Sequence, residues 1–141
     1  MAKYETPEHR TAERAVADEL AAHFGIELRK HGDFNRSDYC AIDRKSVTRI
    51  IEIKCRKYTM DRLESLGGYF ISLGKYTHCV CLSRVGRIGF AIAVRTTDGL
   101  WLHEADGQHD GVVWGGRTDR GDPNDVEPVV VLRRARFQKL R

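Results

Sequence analysis

The sequence predicts an α/β (α+β) protein whose mixed central sheet is flanked by helices, in the order αβββαββ followed by a basic tail. Three observations carry this. An N-terminal segment repeats its apolar residues at helical spacing. A hairpin-like pair of β-rich segments is centred on the run Ile50-Ile51-Glu52-Ile53-Lys54-Cys55. A second capped helical segment is followed by further strand-like runs, and alternating patterns of this kind are those of layered α and β proteins.

Length and composition agree. The chain has 141 residues, 41% hydrophobic and 31% charged, about one domain on the usual length prior. A chain of that size buries roughly two-thirds of its unfolded surface, so it needs no metal or disulfide staple to fold. No apolar run approaches the roughly 20 residues of a membrane span. The first residues, Met1-Ala2-Lys3-Tyr4-Glu5-Thr6-Pro7-Glu8, lack the apolar core of a secretory signal. The expectation is one cytoplasmic domain over 1–141, with a core over about 7–94 and an extension with a basic tail over 95–141.

Thr6 is a good N-cap, with Pro7 at the first helical position and Glu8 behind it. Ala12, Val16, Leu20 and Phe24 form the apolar stripe, and Gly25 ends the helix. Ile26–Arg29 alternates as a short strand. Residues 38–43 form a second strand, Arg44-Lys45-Ser46 a polar turn, and Val47–Arg56 a third strand. A second helix is expected over Asp61–Tyr76, with Asp61 and Glu64 at capping-box spacing; Gly67, Gly68 and Gly74 weaken it. Strands are expected near His78–Ser83 and Ile88–Val94. Thr96–Glu127 is rich in Gly, Asp and Arg and reads as mostly loop, with a short hairpin around Leu100–His103. Pro128–Arg134 is the last strand.

Charge and cysteine usage limit the function classes. The 24 Lys+Arg against 20 Asp+Glu leave a formal +4, a weak argument for nucleic acid by itself. Arg133, Arg134, Arg136, Lys139 and Arg141 crowd an acid-free C-terminus, which reads either as a solvated end or as a phosphate contact. Cys40, Cys55, Cys79 and Cys81 show no paired metal-ligand spacing, so they read as buried free thiols of a reducing compartment. His103 and His109 read as surface residues. Trp101 and Trp114 could stack on bases, but packing is the better account of both.

The chemistry-bearing unit is Asp38 followed, across a turn, by Glu52-Ile53-Lys54. Period-two geometry puts Glu52 and Lys54 on one face of a strand, with Ile51, Ile53 and Cys55 on the other. A carboxylate and an ammonium on an otherwise apolar central strand are costly to desolvate, so they persist where paired, ligated or used. With Asp43 at the turn, pairing roughly with Thr48, it lies about 13 Å along the strand from Glu52. Asp38, at the far end of its strand, is opposite or nearly opposite Glu52 and is the aspartate able to share a cation with it. Two hard carboxylates in a small site suit Mg²⁺, with Mn²⁺ as a substitute. The chemistry this permits is metal-dependent phosphodiester hydrolysis, with Lys54 orienting or deprotonating the attacking water. The plain alternative is a Glu–Lys pair on a solvent-facing strand.

Asp38, fourteen residues before Glu52-Ile53-Lys54, then Arg56, after a capped helix bearing Glu13, resembles the PD-(D/E)XK nuclease superfamily, in particular small endonuclease-like, archaeal Holliday-junction-resolvase-like or phage-type members. The resemblance covers about residues 7–94. It implies a restriction-endonuclease-like αβββαβ core and a Mg²⁺-dependent DNA endonuclease. Asp38 and Glu52 would be metal ligands, the Ile53 carbonyl a further one, and Lys54 the catalytic lysine. A helix-one glutamate often joins the metal; Glu13 borders the core-facing stripe and is the candidate, with an ordinary surface glutamate as the competing reading. Ser37 stands where the family has proline. On the second helix Tyr69, Ser72, Lys75 and Tyr76 recur at three- and four-residue spacing, which makes Lys75 either a phosphate contact or part of a half-solvated face. Arg56 and Lys57 could hold backbone phosphates. The implied partners are DNA and a second copy of the chain. The alternative is a nuclease-fold module that binds nucleic acid or protein without cutting; the intact set Glu13, Asp38, Glu52 and Lys54 argues against it.

Overall fold

The computed structural model describes residues 6–30, 39–116 and 126–141. The first helix, α1, runs over Pro7–Phe24. It starts and stops where the sequence signals it: the Thr6 hydroxyl accepts from His9 N at 3.2 Å, Pro7 occupies the first turn, and Gly25 closes the helix at φ +64°, a left-handed conformation that favours glycine. Its buried residues are Val16, Ala17 and Leu20. Ala12 and Phe24, expected in the stripe, are exposed. The apolar face therefore turns toward Ala17 and covers only the middle of the helix.

Strands β1 (Glu27–Lys30), β2 (Tyr39–Asp43) and β3 (Ser46–Cys55) follow as an antiparallel run. The β2–β3 turn is tighter than the sequence suggested. Asp43 pairs with Ser46, not Thr48, across Arg44 at φ +50° and Lys45 at φ +73°. That is the two-residue turn whose twist suits a hairpin, although neither residue favours the left-handed region. A register shift between Ala41 and Ile42 then offsets the far end of the hairpin, so that Tyr39 faces Ile51.

The expected helix over 61–76 and strand over 78–83 are corrected by three elements. A short helix α2 (Met60–Ser65) gives way to strand β4 (Tyr69–Ser72), and helix α3 occupies Leu73–Gly86. Gly67 and Gly68, at φ +115° and +111°, break the predicted helix, and a Cβ on Gly68 would meet the Leu132 carbonyl oxygen at 2.9 Å. The N-cap of α2 is Thr59, whose hydroxyl accepts from Arg62 N at 3.1 Å, in place of the expected Asp61. Strand β5 (Gly89–Thr96) pairs in parallel with β3. A parallel neighbour needs a long crossover, usually a helix, and α3 supplies it.

The segment expected to be mostly loop holds two strands, β6 (Gly99–Glu104) and β7 (Val112–Gly116). Strand β8 (Val126–Leu132), a 3-10 turn at Arg134–Arg136 and a short β9 (Gln138–Lys139) complete the chain. The main sheet has the order β1-β2-β3-β5-β6-β9, and a smaller one the order β4-β8-β7. Residues beyond 94 are thus woven into both sheets.

Two cores result. On one face of the main sheet, Val16, Ala17 and Leu20 of α1 pack on Ile51, Ile53, Ala91, Ala93 and Leu102, where the alanines of β5 let the helix approach. On the other, Ile50, Phe90, Ile92, Val94 and Trp101 meet Tyr76, Cys79 and Val80 of α3 and the inner residues of the small sheet. Each fully buried aliphatic side chain of this kind contributes about 1.5–3 kcal/mol. No helix among the described residues is long and apolar enough to cross a membrane.

Candidate active site

β3 carries the site because it is the central antiparallel-to-parallel junction of the main sheet, flanked by β2 and β5. Ile51 and Ile53 point to the α1 core, and Ile50 to the α3 core. Alternation therefore places Glu52 and Lys54 on the α3 side, as expected from the strand period. Glu52 is 0% exposed, next to Ile92 in the parallel register. A buried carboxylate demands compensating charge. It has two ammonium groups: Lys54 Nζ lies 3.2 Å from Oε1, and Lys75 Nζ 2.7 Å from the same oxygen. Lys54 reaches it from two residues along the strand, and Lys75 from the first turn of α3.

The structure thus brings together Glu52, Lys54 and Lys75. Asp38 lies outside the described residues; the neighbouring Tyr39 pairs with Ile51, the residue before Glu52. Glu13 sits on α1, which packs on the opposite face of the sheet, and its carboxylate is 3.6 Å from Lys30 Nζ at the end of β1. Its charge is felt by Cys55: burial pushes that thiol up, and Glu13 adds to the rise. Arg56 follows β3 and stacks over the Tyr69 ring at 5.3 Å, while Lys57 is exposed.

Several expectations about the surroundings need correction. Tyr69, Ser72, Lys75 and Tyr76 do not share a helix face: the first two belong to β4, and Ser72 caps α3. The basic end is largely exposed, as a solvated end would be, but its arginines are paired. Arg133 is 2.7 Å from Glu64, Arg134 pairs with Asp61, and Arg136 is 2.8 Å from Asp110, while Phe137 is buried in the α3 core. His103 is 7% exposed, with Nδ1 3.0 Å from the Arg136 carbonyl oxygen; burial holds its pKa below the usual imidazole value. Trp101 is buried and Trp114 exposed. Cys40 and Cys79 are buried free thiols, but Cys81 is exposed because a helix, not a strand, turns it outward.

The sequence left Lys75 as either a phosphate contact or part of a half-solvated face and did not reveal its contact with Glu52. The available signal was Ser72 as an N-cap, which puts Lys75 at the third helical position. Among the described residues no group of three or more His, Cys, Asp or Glu side chains could hold a metal ion. Glu52 is nevertheless a suitable hard oxygen donor, buried on a rigid strand.

The chain belongs to a family of phage PD-(D/E)XK endonucleases: the family model described as "Phage putative PDDEXK endonuclease" matches residues 1–140. It is accordingly an endonuclease of the PD-(D/E)XK class, a hydrolase of phosphodiester bonds. Among solved structures it is similar to Hjc, a Holliday junction resolvase from Archaeoglobus fulgidus, with a TM-score of 0.61 and 14% identity over 94% of this chain and 92% of that one. That likeness confirms the restriction-endonuclease-like mixed sheet. No curated protein matches the chain.

Proposed function

We propose that the protein cuts DNA in a reaction that depends on a divalent metal ion, at a site built on Asp38, Glu52 and Lys54. The observation that carries this is the Glu52 carboxylate, fully buried on the central strand with two ammonium groups on one of its oxygens. A structural pair gains little from such burial, since replacing a buried ion pair by apolar residues is often neutral or stabilising. A site that must receive a cation and a phosphate accounts for it.

Asp38 and Glu52, with the Ile53 carbonyl, form the proposed oxygen donor set, which fits Mg²⁺ and accepts Mn²⁺ in its place. When bound, the ion lowers the pKa of a coordinated water and polarises the phosphodiester. Lys54, an ammonium paired with Glu52, would orient the attacking water by donating to it and offset charge on the phosphorane-like transition state. Arg56 and Lys57 hold backbone phosphates on either side. Glu13 belongs to the proposed ligand set through the family resemblance; its observed partner is Lys30. Unchanged Mn²⁺ affinity in Glu13→Gln would remove it from that set. The substrate we favour is branched or otherwise structured DNA, in keeping with the fold shared with a Holliday junction resolvase. Cutting both strands calls for two sites, which a homodimer provides.

The test is to incubate the protein with supercoiled plasmid and with a labelled four-way junction, in Mg²⁺, Mn²⁺ and EDTA, beside Lys54→Ala. Metal-dependent cutting that the variant lacks is the expected result. Tight binding of either DNA without cutting would overturn it in favour of a binding module.

A further inference from the structure

We propose that Lys75 is a positioning residue that occupies the cation side of Glu52 in the metal-free protein and competes there with the divalent ion. This rests on the metal-dependent reading above and adds a control of metal occupancy that the Asp–Glu–Lys motif does not contain.

The argument begins with charge. Glu52 is a fully buried carboxylate, and Lys54 reaches it from its own strand. Lys75 places a second ammonium on the same Oε1, at 2.7 Å, closer than Lys54 at 3.2 Å. Two like charges sharing one acceptor repel each other, and a divalent ion arriving at Glu52 would be repelled by both.

The position of Lys75 on its helix is also unfavourable. α3 is capped by Ser72, whose hydroxyl accepts from the Lys75 backbone N–H at 3.3 Å, which fixes Lys75 in the first turn. The first turn of α3 holds no acidic residue. Helix N-termini favour anions and disfavour cations by about 0.3–1 kcal/mol. Lys75 thus stands against the helix field and against Lys54, held by the carboxylate of Glu52. A cation so placed contributes most while no stronger cation is present. It is tethered by a flexible four-carbon stem and is 23% exposed, so it has a way out to solvent or to a DNA phosphate.

The experiment is calorimetric titration of the full chain with MnCl₂ in the absence of DNA, comparing wild type, Lys75→Met and Lys75→Arg, with melting temperatures taken in EDTA. Competition between two ligands is a coupling free energy, typically worth about 5- to 150-fold. Lys75→Met is therefore expected to bind Mn²⁺ at least about fivefold more tightly than wild type, while melting lower in EDTA because Glu52 has lost a partner. Lys75→Arg, which restores the charge, should return the affinity to the wild-type value. A residue with a merely structural role would not tighten metal binding when removed. If Lys75→Met is unfolded by circular dichroism, Lys75→Gln is read in the same way. Unchanged or weaker Mn²⁺ binding in the neutral variants overturns the proposal while leaving the metal-dependent reading standing. Absence of saturable Mn²⁺ binding by the wild type overturns both.

Discussion

Converting Glu52 to glutamine removes one charge and almost no volume, so its effect on stability isolates the electrostatics of the site. Glu52 is 0% exposed, and Oε1 lies 3.2 Å from Lys54 Nζ and 2.7 Å from Lys75 Nζ. At an effective dielectric constant of about 20, one unit pair at about 3 Å is attracted by roughly 5 kcal/mol. Two such pairs are opposed by the lysine–lysine repulsion and by several kcal/mol of carboxylate desolvation. Removing one partner of a buried pair costs about 3–5 kcal/mol. The side chains of Lys54 and Lys75 are 32% and 23% exposed and can turn toward water, which brings the expectation just below that range, to about 2–3 kcal/mol. At about 2–4 °C per kcal/mol for a chain of this size, Glu52→Gln should melt roughly 5–10 °C lower in EDTA. Buried pairs are screened little by salt, so most of the deficit should survive in 1 M NaCl. The assay is thermal unfolding followed by circular dichroism at low and high salt. A variant that melts at or above the wild type in EDTA would refute the view that the two lysines are held by Glu52.

Three other outcomes are expected. Asp38→Asn should reduce the rise in melting temperature that Mn²⁺ produces in the wild type; an undiminished rise would remove Asp38 from the ligand set. Replacing Arg44 by Asn and Lys45 by Gly together should stabilise the protein by about 1–2 kcal/mol, because each residue pays for a left-handed conformation that Asn and Gly adopt readily; urea unfolding of the double variant checks this. His103 has a folded pKa below its unfolded value near 6.5, because burial disfavours the imidazolium. The folded state therefore binds fewer protons, and stability falls as pH drops below about 6.5 toward the folded pKa, with no contribution from this group above it. His103→Gln should flatten that part of the curve, measured as melting temperature between pH 7.5 and 5.5, and an unchanged slope would assign it elsewhere.

Local signals sufficed wherever the interaction that decides the structure lies close in sequence. The Thr6 cap, the Gly25 stop and the alternation along Ser46–Cys55 depend on neighbours a few residues away, so α1, β3 and the shared face of Glu52 and Lys54 were all legible. The division of Asp61–Tyr76 was not. Tyr69–Ser72 becomes a strand by pairing with Val129–Leu132, some sixty residues away, and no local period announces that pairing. The apolar stretch around Cys79-Val80-Cys81 suits either strand or helix; the parallel pairing of β3 with β5 requires a crossover, and only the assembled sheet shows that this stretch provides it. His103 looked like a surface residue in a polar segment and is buried because the 3-10 turn at Arg134–Arg136 folds back over it.

The sequence by itself determined the strand that carries Glu52 and Lys54 and the face on which they lie, because covalent geometry imposes a period of two on any strand. Only the tertiary structure decided that Lys75, twenty-three residues beyond Glu52 in the chain, meets it at 2.7 Å, and that the C-terminal arginines answer Asp61, Glu64 and Asp110. Those contacts arise from how α3 and the small sheet pack against the main one, a matter of long-range burial that no window of sequence contains.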